Sequence, residues 1–296
     1  MTRAGGVAMC MLAVLVLAGC GGPDGSRAAA PQTTVPETAG ARTTAPAPAS
    51  GPATAATTAA AERTRWVPAP AGTWQYQLSG EIDLSVPADV YDIDGQETDA
   101  GVVRSLHEAG RHVICYLNAG AYEDWRPDAA EFPADVLGRP LDGWPGERWV
   151  DVRRLDVLLP ILGARMDVCR SKGFDAVEPD NVDGYANETG FDLTGEDQAA
   201  FNTAVAGLAR DRGLAVGLKN DIEQVAQLEP HFDFAVNEEC LAYDECAEYR
   251  PFTDAAKAVF HVEYSKPSAP RCARAARLGF STVFKDLELD APLRRC

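Results

Sequence analysis

Residues 174–183 read FDAVEPDNVD, a short apolar run that ends in acids and one amide. The same pattern of an apolar run followed by polar residues recurs at 214–220 (LAVGLKN) and at 232–238 (FDFAVNE). Short apolar runs bounded by turn residues are typical of strands that are buried on both faces, as in a parallel sheet. The three segments therefore predict parallel strands whose polar residues lie at one end.

The same pattern extends outward over most of the chain. Apolar runs of strand length lie at 74–78, 89–93, 112–117, 174–177, 214–218, 232–236, 258–262 and 280–284. Helical spacing of apolar residues appears at 98–109, 158–171, 196–212, 222–228 and 271–278, and several of these segments close on a glycine, as helices do. The alternation predicts an α/β fold, a (β/α)8 TIM barrel. An open doubly wound sheet remains the alternative, because the pattern does not show closure.

Polar residues are concentrated where the predicted strands end. They are Asp92, Asp94, Asn118, Glu178, Asp180, Asn181, Asp183, Lys219, Asn220, Asp221, Asn237, Glu238, Glu239, Glu263, Tyr264, Lys285 and Asp286. The carboxyl ends of parallel strands meet on one face of a barrel, and that face carries the active site in barrel enzymes. The one-ended bias therefore predicts a functional site there.

The first 65 residues have a different character. Residues 1–20 resemble a bacterial lipoprotein signal peptide, with a short apolar run and a Leu-Ala-Gly-Cys end that makes Cys20 the lipidated residue. An ordinary secretory signal cut elsewhere is the alternative. Residues 21–65 are mostly Ala, Thr, Pro, Gly and Ser, which predicts a disordered tether. We therefore expect a folded domain at 66–296, anchored by lipid to the outer face of the cell membrane.

Cysteine usage agrees with export. Six cysteines remain after Cys10 and Cys20, and an even number in an oxidising compartment predicts three disulfides. The sequence does not determine the pairing. Local choices are Cys240 with Cys246 and Cys272 with Cys296, which leaves Cys115 with Cys169. A zinc site is the alternative, although no CxxC pair occurs.

The chain is strongly acidic, with 27 Lys and Arg against 44 Asp and Glu and a net charge of −17. Nucleic acid is therefore excluded as a partner, whereas a cationic polymer would be attracted. An acidic surface that only maintains solubility is the alternative interpretation. A monomer is expected.

The polar residues narrow the chemistry. GxSxG, GxxxxGK[ST] and HExxH motifs are missing from the sequence, and carboxyl groups predominate. Hydrolysis of a glycosidic bond needs two carboxyl groups across one sugar and requires no metal or organic cofactor. Two rivals remain. The segment 180–184 is similar to a calcium loop but has Phe191 at the twelfth position, and Lys219 could form a Schiff base.

Several ordered segments resemble glycoside hydrolase family 114. They are 122–128, 144–153, 174–185, 217–221, 232–240 and 262–264, and the resemblance covers essentially all of 74–286. Members of the family are TIM-barrel endo-α-1,4-polygalactosaminidases. The resemblance implies that Asp180 is the nucleophile and Glu238 the general acid/base of a retaining hydrolase. Neither motif departs from the family pattern, and a retaining pair should lie about 5 to 5.5 Å apart.

The resemblance and the strand-end rule together give a set of substrate-binding candidates. They are Asp92, Asp94, Tyr116, Asn118, Trp149, Glu178, Asn181, Asp183, Lys219, Asn220, Asn237, Glu263 and Tyr264. The implied substrate is a partly deacetylated, cationic galactosamine polymer. A barrel that binds polysaccharide without cleaving it, and a glycosidase for another exopolysaccharide, remain alternatives.

Overall fold

The computed structural model describes residues 65–296, and within them the fold is a barrel. Its eight strands are parallel and pair in chain order. They are β1 (Trp74–Gln77), β2 (Val90–Asp94), β3 (His112–Asn118), β7 (Ala176–Asp180), β8 (Ala215–Lys219), β9 (Phe234–Glu238), β10 (Val259–Glu263) and β11 (Ser281–Phe284). Each overlaps one predicted apolar run, and the predicted (β/α)8 fold is confirmed.

Helices lie between the strands and around the barrel. Those of the described residues are α1 (Ala100–Glu108), α2 (Leu155–Lys172), α3 (Gly195–Asp211), α4 (Val225–Leu228), α5 (Cys240–Tyr243), α6 (Arg250–Asp254) and α7 (Ala269–Leu278). Helix α3 begins with a capping box, in which Thr194 Oγ1 accepts from Asp197 N at 3.1 Å and Asp197 Oδ2 accepts from Thr194 N at 2.9 Å. Helix α2 ends at Gly173, whose φ of 99° suits glycine.

The barrel is nearly closed. Trp74 Nε1 donates to the Ser281 carbonyl at 2.7 Å, and Lys285 Nζ lies 3.3 Å from Gln75 Oε1, so side chains join β1 to β11. No backbone ladder between these two strands is found in the described chain. Large apolar side chains such as Trp74 and Phe260 fill the interior, with ring centroids 5.1 Å apart. Because these side chains fill the barrel interior, the main cavity lies at the carboxyl ends of the strands.

The sequence did not predict a second, three-stranded antiparallel sheet. It consists of β4 (Ala121–Glu123), β5 (Leu137–Pro140) and β6 (Glu147–Val150), paired in the order β4-β6-β5. Strands of three or four residues are too short to show a clear period, and Gly138 and Pro140 disfavour strand formation in β5. Because β4 follows β3 closely, this sheet stands at the carboxyl end of the barrel.

Three disulfides join the six cysteines, and the predicted pairing is confirmed. They are Cys115–Cys169, Cys240–Cys246 and Cys272–Cys296. The first ties β3 to α2, and the third ties α7 to the end of the chain. Since all six sulfur atoms are bonded, the alternative of a cysteine zinc site is wrong.

The Cys115–Cys169 bridge should stabilise the fold more than the Cys240–Cys246 bridge. The first closes a loop with a sequence separation of 54, and the second one of 6. From loop-closure entropy, replacing both cysteines of a bridge by alanine should cost about 4 kcal/mol for the first and about 2 kcal/mol for the second. Urea unfolding of the two double variants measures both values, and an equal loss in the two would contradict the expectation.

Within residues 65–296, none of the helices has the length and apolar character needed to span a bilayer. The predicted signal peptide, the lipidated Cys20 and all of the tether except Arg65 lie outside the described residues. These predictions therefore stay predictions.

Candidate active site

A cavity of about 1290 Å³ opens at the carboxyl ends of the barrel strands. The last residues of β7, β8 and β9 are Asp180, Lys219 and Glu238, and all three side chains line it. The three-stranded sheet forms one wall, and residues 287–289 contribute to the lining after β11. The site therefore lies on the face that the strand ends predicted.

The chain turns sharply immediately after these three strand ends. The next residues have positive φ: Asn181 at 59°, Asn220 at 45° and Glu239 at 63°. Left-handed backbone is uncommon for residues other than glycine and concentrates at functional sites. It ends each strand abruptly beside the side chain that reaches the cavity.

The Lys219 ammonium is the centre of the site. Its Nζ lies 3.0 Å from Asp180 Oδ1, 3.2 Å from Glu178 Oε1 and 3.4 Å from Glu238 Oε2, and its side chain is almost fully buried. Tyr76 OH accepts a further hydrogen bond from it at 3.1 Å. Burial alone lowers the pKa of an ammonium, but the surrounding carboxylates outweigh burial and raise the pKa of Lys219 well above its ordinary value. These carboxylates therefore favour the charged form of Lys219.

Asp180 is held as a carboxylate. Burial raises its pKa, but the charge and hydrogen bond of Lys219, with hydrogen bonds from Asn181 N and Tyr116, lower the pKa overall. Tyr116 OH donates to Oδ2 at 2.9 Å. An ionised carboxylate with fixed orientation is what a nucleophile requires.

Glu238 faces Asp180 across Lys219. Tyr264 OH donates to Glu238 Oε1, and Asn220 Nδ2 donates to Oε2 at 3.3 Å. Asn220 Oδ1 also accepts from the Glu238 backbone N–H at 3.0 Å. The side chain of Glu238 is therefore oriented from both sides.

The two carboxyl groups are close neighbours. Because Asp180 Oδ1 and Glu238 Oε2 lie 3.0 and 3.4 Å from the same nitrogen, they cannot be farther apart than the sum of these distances. This pair of oxygens therefore lies closer than the about 6.5 to 9.5 Å that separates the carboxyl groups of inverting enzymes. The close approach of the two acids is compatible with a retaining pair.

Asp92 and Glu178 are neighbouring buried carboxyl groups below the cavity. Both are fully buried, and both Asp92 oxygens and Glu178 Oε2 have no separate donor among the described residues. Burial, followed by the charge of Glu178, raises the pKa of Asp92 well above its ordinary value, and burial also raises the pKa of Glu178. Asp92 therefore carries the proton, and Glu178 supplies negative charge to Lys219.

A second acidic group lines the wall made by the small sheet. Glu147, the first residue of β6, accepts from Asn118 Nδ2 at 3.0 Å. Burial and the charges of Glu123 and Asp180 raise the pKa of Glu147 to about 7. Arg126 binds Asp94 through two nitrogens, at 3.1 and 2.7 Å, and Glu123 at 2.7 Å. These salt bridges balance the charge of Asp94, whereas Glu147 forms no salt bridge among the described residues.

The structure brings most of the predicted site residues to the cavity. In addition to the pair, the lining contains Asp94, Tyr116, Trp149, Asn181, Asp183, Lys219, Asn220 and Tyr264. Five candidates do not line it: Asp92, Asn118, Glu178, Asn237 and Glu263. Their side chains are buried and hold other residues, so the structure does not support direct substrate contact by them.

The contacts of these buried residues show what they hold. Asn118 Oδ1 accepts from Ala121 N and Asn181 Nδ2, and Asn237 Oδ1 accepts from Cys240 N. Glu263 accepts from Leu241 N and contacts His261. Their side chains point from the strands into the barrel or beneath the adjoining loops. A position at the end of a strand does not by itself show whether a side chain points there or into the cavity.

Sequence reasoning did not predict Tyr76, Glu147, Arg126 and Trp144, which also line the cavity. Tyr76 lies inside an apolar run, and the other three belong to the small sheet and its turns. For Glu147, Arg126 and Trp144, the only signal in the sequence was their position within the segments 122–128 and 144–153, which resemble the family.

The structure also bears on the two rival chemistries. Asp180 is engaged by Lys219 and Tyr116, which leaves no calcium loop at 180–184. A Schiff-base lysine must be neutral to attack a carbonyl, whereas the raised pKa of Lys219 keeps it protonated. Both alternatives are disfavoured by the same ion pair.

Comparison with known proteins agrees with this geometry. The profile of glycoside-hydrolase family GH114 matches residues 55–296. The chain is similar to Aspergillus fumigatus Ega3, whose crystal structure was solved in complex with galactosamine. The two sequences are 39% identical and the structures superpose with a TM-score of 0.75; the match covers 79% of this chain and 98% of the Ega3 chain. The glycoside hydrolase domain of PelA from Pseudomonas aeruginosa is 15% identical, with a TM-score of 0.59, over 76% of this chain and 98% of that one. The second likeness shows the fold alone.

No curated protein sequence matches the chain. The family profile and the identity to Ega3 over most of the chain are nevertheless sufficient, because the profile spans the whole barrel and its paired carboxyl groups. The chain belongs to glycoside hydrolase family GH114, and it is a glycoside hydrolase.

Proposed function

We propose that the protein cleaves internal α-1,4-linked galactosamine bonds of a cationic exopolysaccharide with retention of configuration. The observation that carries the proposal is the position of Asp180 and Glu238, on separate strands and within reach of one ammonium at the cavity floor. The spacing of the two carboxyl groups is compatible with the retaining course.

In the first step, an oxygen of Asp180 attacks the anomeric carbon. The bond from that carbon to the leaving oxygen breaks, and Glu238 donates its proton to that oxygen. In the second step, Glu238 takes a proton from water, the water oxygen attacks the anomeric carbon, and Asp180 leaves as a carboxylate. Lys219 stabilises the charge of Asp180 at the start and at the end of this cycle.

The charge of the cavity supports a cationic substrate. Among the described residues, ten acids line the cavity against three bases, Arg126, Arg139 and Lys219. All three bases are already in salt bridges with lining acids. A chain of protonated amino sugars would be attracted and oriented by the remaining negative charge. The complex of Ega3 with galactosamine agrees with this choice of sugar.

We also propose that the enzyme acts outside the cell as a lipid-anchored monomer. The three disulfides support an oxidising compartment. The lipoprotein-like segment that ends at Cys20 supports an anchor. Metabolic labelling with a fatty acid should mark the wild type but not the Cys20→Ala variant if the anchor exists.

The function is tested by incubation with purified exopolysaccharides. Chain shortening of a deacetylated α-1,4-galactosamine polymer, with the α-anomer as first product by NMR, is the expected result. Binding without shortening would instead indicate a polysaccharide-binding barrel. Shortening of a different polymer only would indicate a glycosidase of other specificity.

Affinity for the cationic polymer should rise with pH. Below its pKa of about 7 Glu147 is protonated and neutral, and above it Glu147 is an anion; Asp183, with a pKa raised to about 6, behaves in the same way. KM should therefore fall between pH 5 and pH 7, where the substrate amines remain largely charged. In Glu147→Gln the fall in KM over this pH range should be smaller by a factor of about five, because one modest ion pair with the substrate is lost.

The measurement is KM as a function of pH for the wild type and Glu147→Gln. Glu108→Gln is the matched control, because Glu108 is exposed at the end of α1 and does not line the cavity. The same pH dependence in Glu147→Gln as in the wild type would count against Glu147 as the responsible group.

A further inference from the structure

Two tryptophans at the mouth of the cavity are left open to solvent. Trp125 is 49% exposed and Trp144 48% exposed, whereas Trp74 and Trp149 are buried. Within the described chain, seven large apolar side chains are exposed, and three of them, Trp125, Trp144 and Leu287, line this cavity. Grouped exposed apolar side chains are typical of a binding surface, whereas single ones are ordinary.

The backbone segments that carry the two indoles are joined by hydrogen bonds. The segment between β5 and β6 is closed by hydrogen bonds from Leu141 N to Glu147 O at 3.0 Å and from Trp144 N to Leu141 O at 3.1 Å. It is joined to the end of β4, because Asp124 N donates to Gly146 O at 3.1 Å. The two tryptophans are thus carried on adjoining backbone segments and are already in place before a ligand binds.

Gly146 makes this approach possible. Its φ is 93°, and a Cβ atom there would lie 2.9 Å from Trp125 Cζ3 and 2.8 Å from Asp124 Oδ1. A side chain at this position would therefore push the Trp125 ring away. The Arg126 guanidinium, fixed by Asp94 and Glu123, lies 6.0 Å from the centroid of the Trp125 ring and helps to hold that ring.

The turn that carries Trp144 leads directly into the acidic wall of the cavity. Glu147 begins β6, and its carboxyl is near enough to Asp180 for that charge to raise its pKa. Trp144 lies three residues before Glu147, on the turn between β5 and β6, and accepts a hydrogen bond from Glu147 N at 3.2 Å. One continuous cavity joins this turn to the Lys219 centre.

We propose that Trp125 and Trp144 form a second sugar-binding platform, which holds an amino-sugar unit of the same chain at a distance from the bond that is cut. The proposal rests on the proposed function. A protonated amino sugar has an apolar C–H face, which packs on an indole, and an ammonium group, which an indole face attracts. The acids of the cavity favour the same cation, so both parts of the site select one ligand class.

The platform is tested by binding, separately from cleavage. In the full chain carrying Asp180→Asn, the affinity for a deacetylated α-1,4-galactosamine polymer is measured by calorimetry. Adding Trp144→Ala or Trp125→Ala should weaken binding about three- to thirtyfold, whereas Trp144→Phe, which keeps an aromatic face, should retain most of it. Tyr243→Ala removes an exposed aromatic side chain outside the cavity and should change nothing.

The length of the sugar chain provides the second readout. For the protein with both tryptophans, affinity should increase steeply once an oligomer is long enough to reach from Lys219 to the turn, and the alanine variants should lack this step. Unchanged polymer affinity in both alanine variants overturns the platform, and so does an equal loss with Trp144→Phe and Trp144→Ala.

The two proposals fail in different ways. Cleavage of the polymer by the wild type, together with tryptophan variants that bind as well as their parent, overturns the platform alone. Tryptophan-dependent binding by a wild type that does not shorten the polymer overturns the hydrolase assignment for this polymer and leaves the platform standing.

Discussion

Asp180→Asn is expected to lower the rate of polymer cleavage by roughly 10⁴-fold or more, the scale seen when a nucleophile is removed. The amide has nearly the shape of the carboxylate, so it can keep the hydrogen bond from Tyr116 at Oδ2. It cannot attack the anomeric carbon as an anion, and it forms no ion pair with Lys219. Release of reducing ends from the polymer measures the loss.

The role of Asp180 can be separated from a general loss of the site. In Asp180→Ala, azide can enter the space that the carboxylate leaves and attack the anomeric carbon in its place. A retaining enzyme whose nucleophile is Asp180 should then produce a β-glycosyl azide at a partly recovered rate. Asp142→Asn, a change of another cavity acid that has no salt bridge within the described chain, serves as control. Full activity of Asp180→Asn would exclude Asp180 as the nucleophile.

Lys219→Met is expected to destabilise the fold by about 3 to 5 kcal/mol at pH 7, the cost of removing one partner from a buried charge cluster. The ammonium is the common partner of Glu178, Asp180 and Glu238, and it lies below the surface of the cavity. Without it, the fully buried Glu178 would lose its ammonium partner, and Asp180 and Glu238 would lose the cation that lies between them. Activity should fall as well, because the charge that keeps Asp180 ionised is removed.

The pH dependence of this loss has a definite sign. Lys219 lowers the pKa of Asp180, so the stabilisation is present above the unfolded pKa of the carboxyl and is lost as the pH falls through the folded value. The variant should therefore lose most stability at neutral pH and less in acid, where its carboxyl groups can take up protons. The acidic limb of its rate profile should move to higher pH.

Urea unfolding at pH 7 and pH 4 measures this effect. Arg277→Met is the matched control, since Arg277 is exposed on α7 and its removal should cost no more than about 0.5 kcal/mol. An equal loss for Lys219→Met at both pH values would contradict an electrostatic role of the ammonium.

The local features of the barrel could be predicted from the sequence. Apolar runs such as that in FDAVEPD have the length and composition of a buried strand, and the polar residues at their ends identify the functional face. Cys240 and Cys246 are six positions apart, so their pairing is a local matter. Each of these inferences depends on residues that are neighbours along the chain.

The small sheet was not predictable in the same way. Strands β4, β5 and β6 are short and pair across loops, and β5 contains glycine and proline. Their stability comes from the partner strands and from contacts at the end of the barrel, not from the local pattern. The cavity wall with Glu147 and Trp144 was therefore missing from the prediction.

By itself the sequence determined which strands form, which of their ends are acidic and that Asp180 and Glu238 share one face, because period and order along the chain encode these properties. Only the tertiary structure decided that Lys219 stands between the two acids, that Asp92 is buried beside Glu178 and that five candidates are buried beneath the cavity. These features depend on strand register and on distances between residues far apart in the chain, which closure of the barrel sets and no local pattern contains.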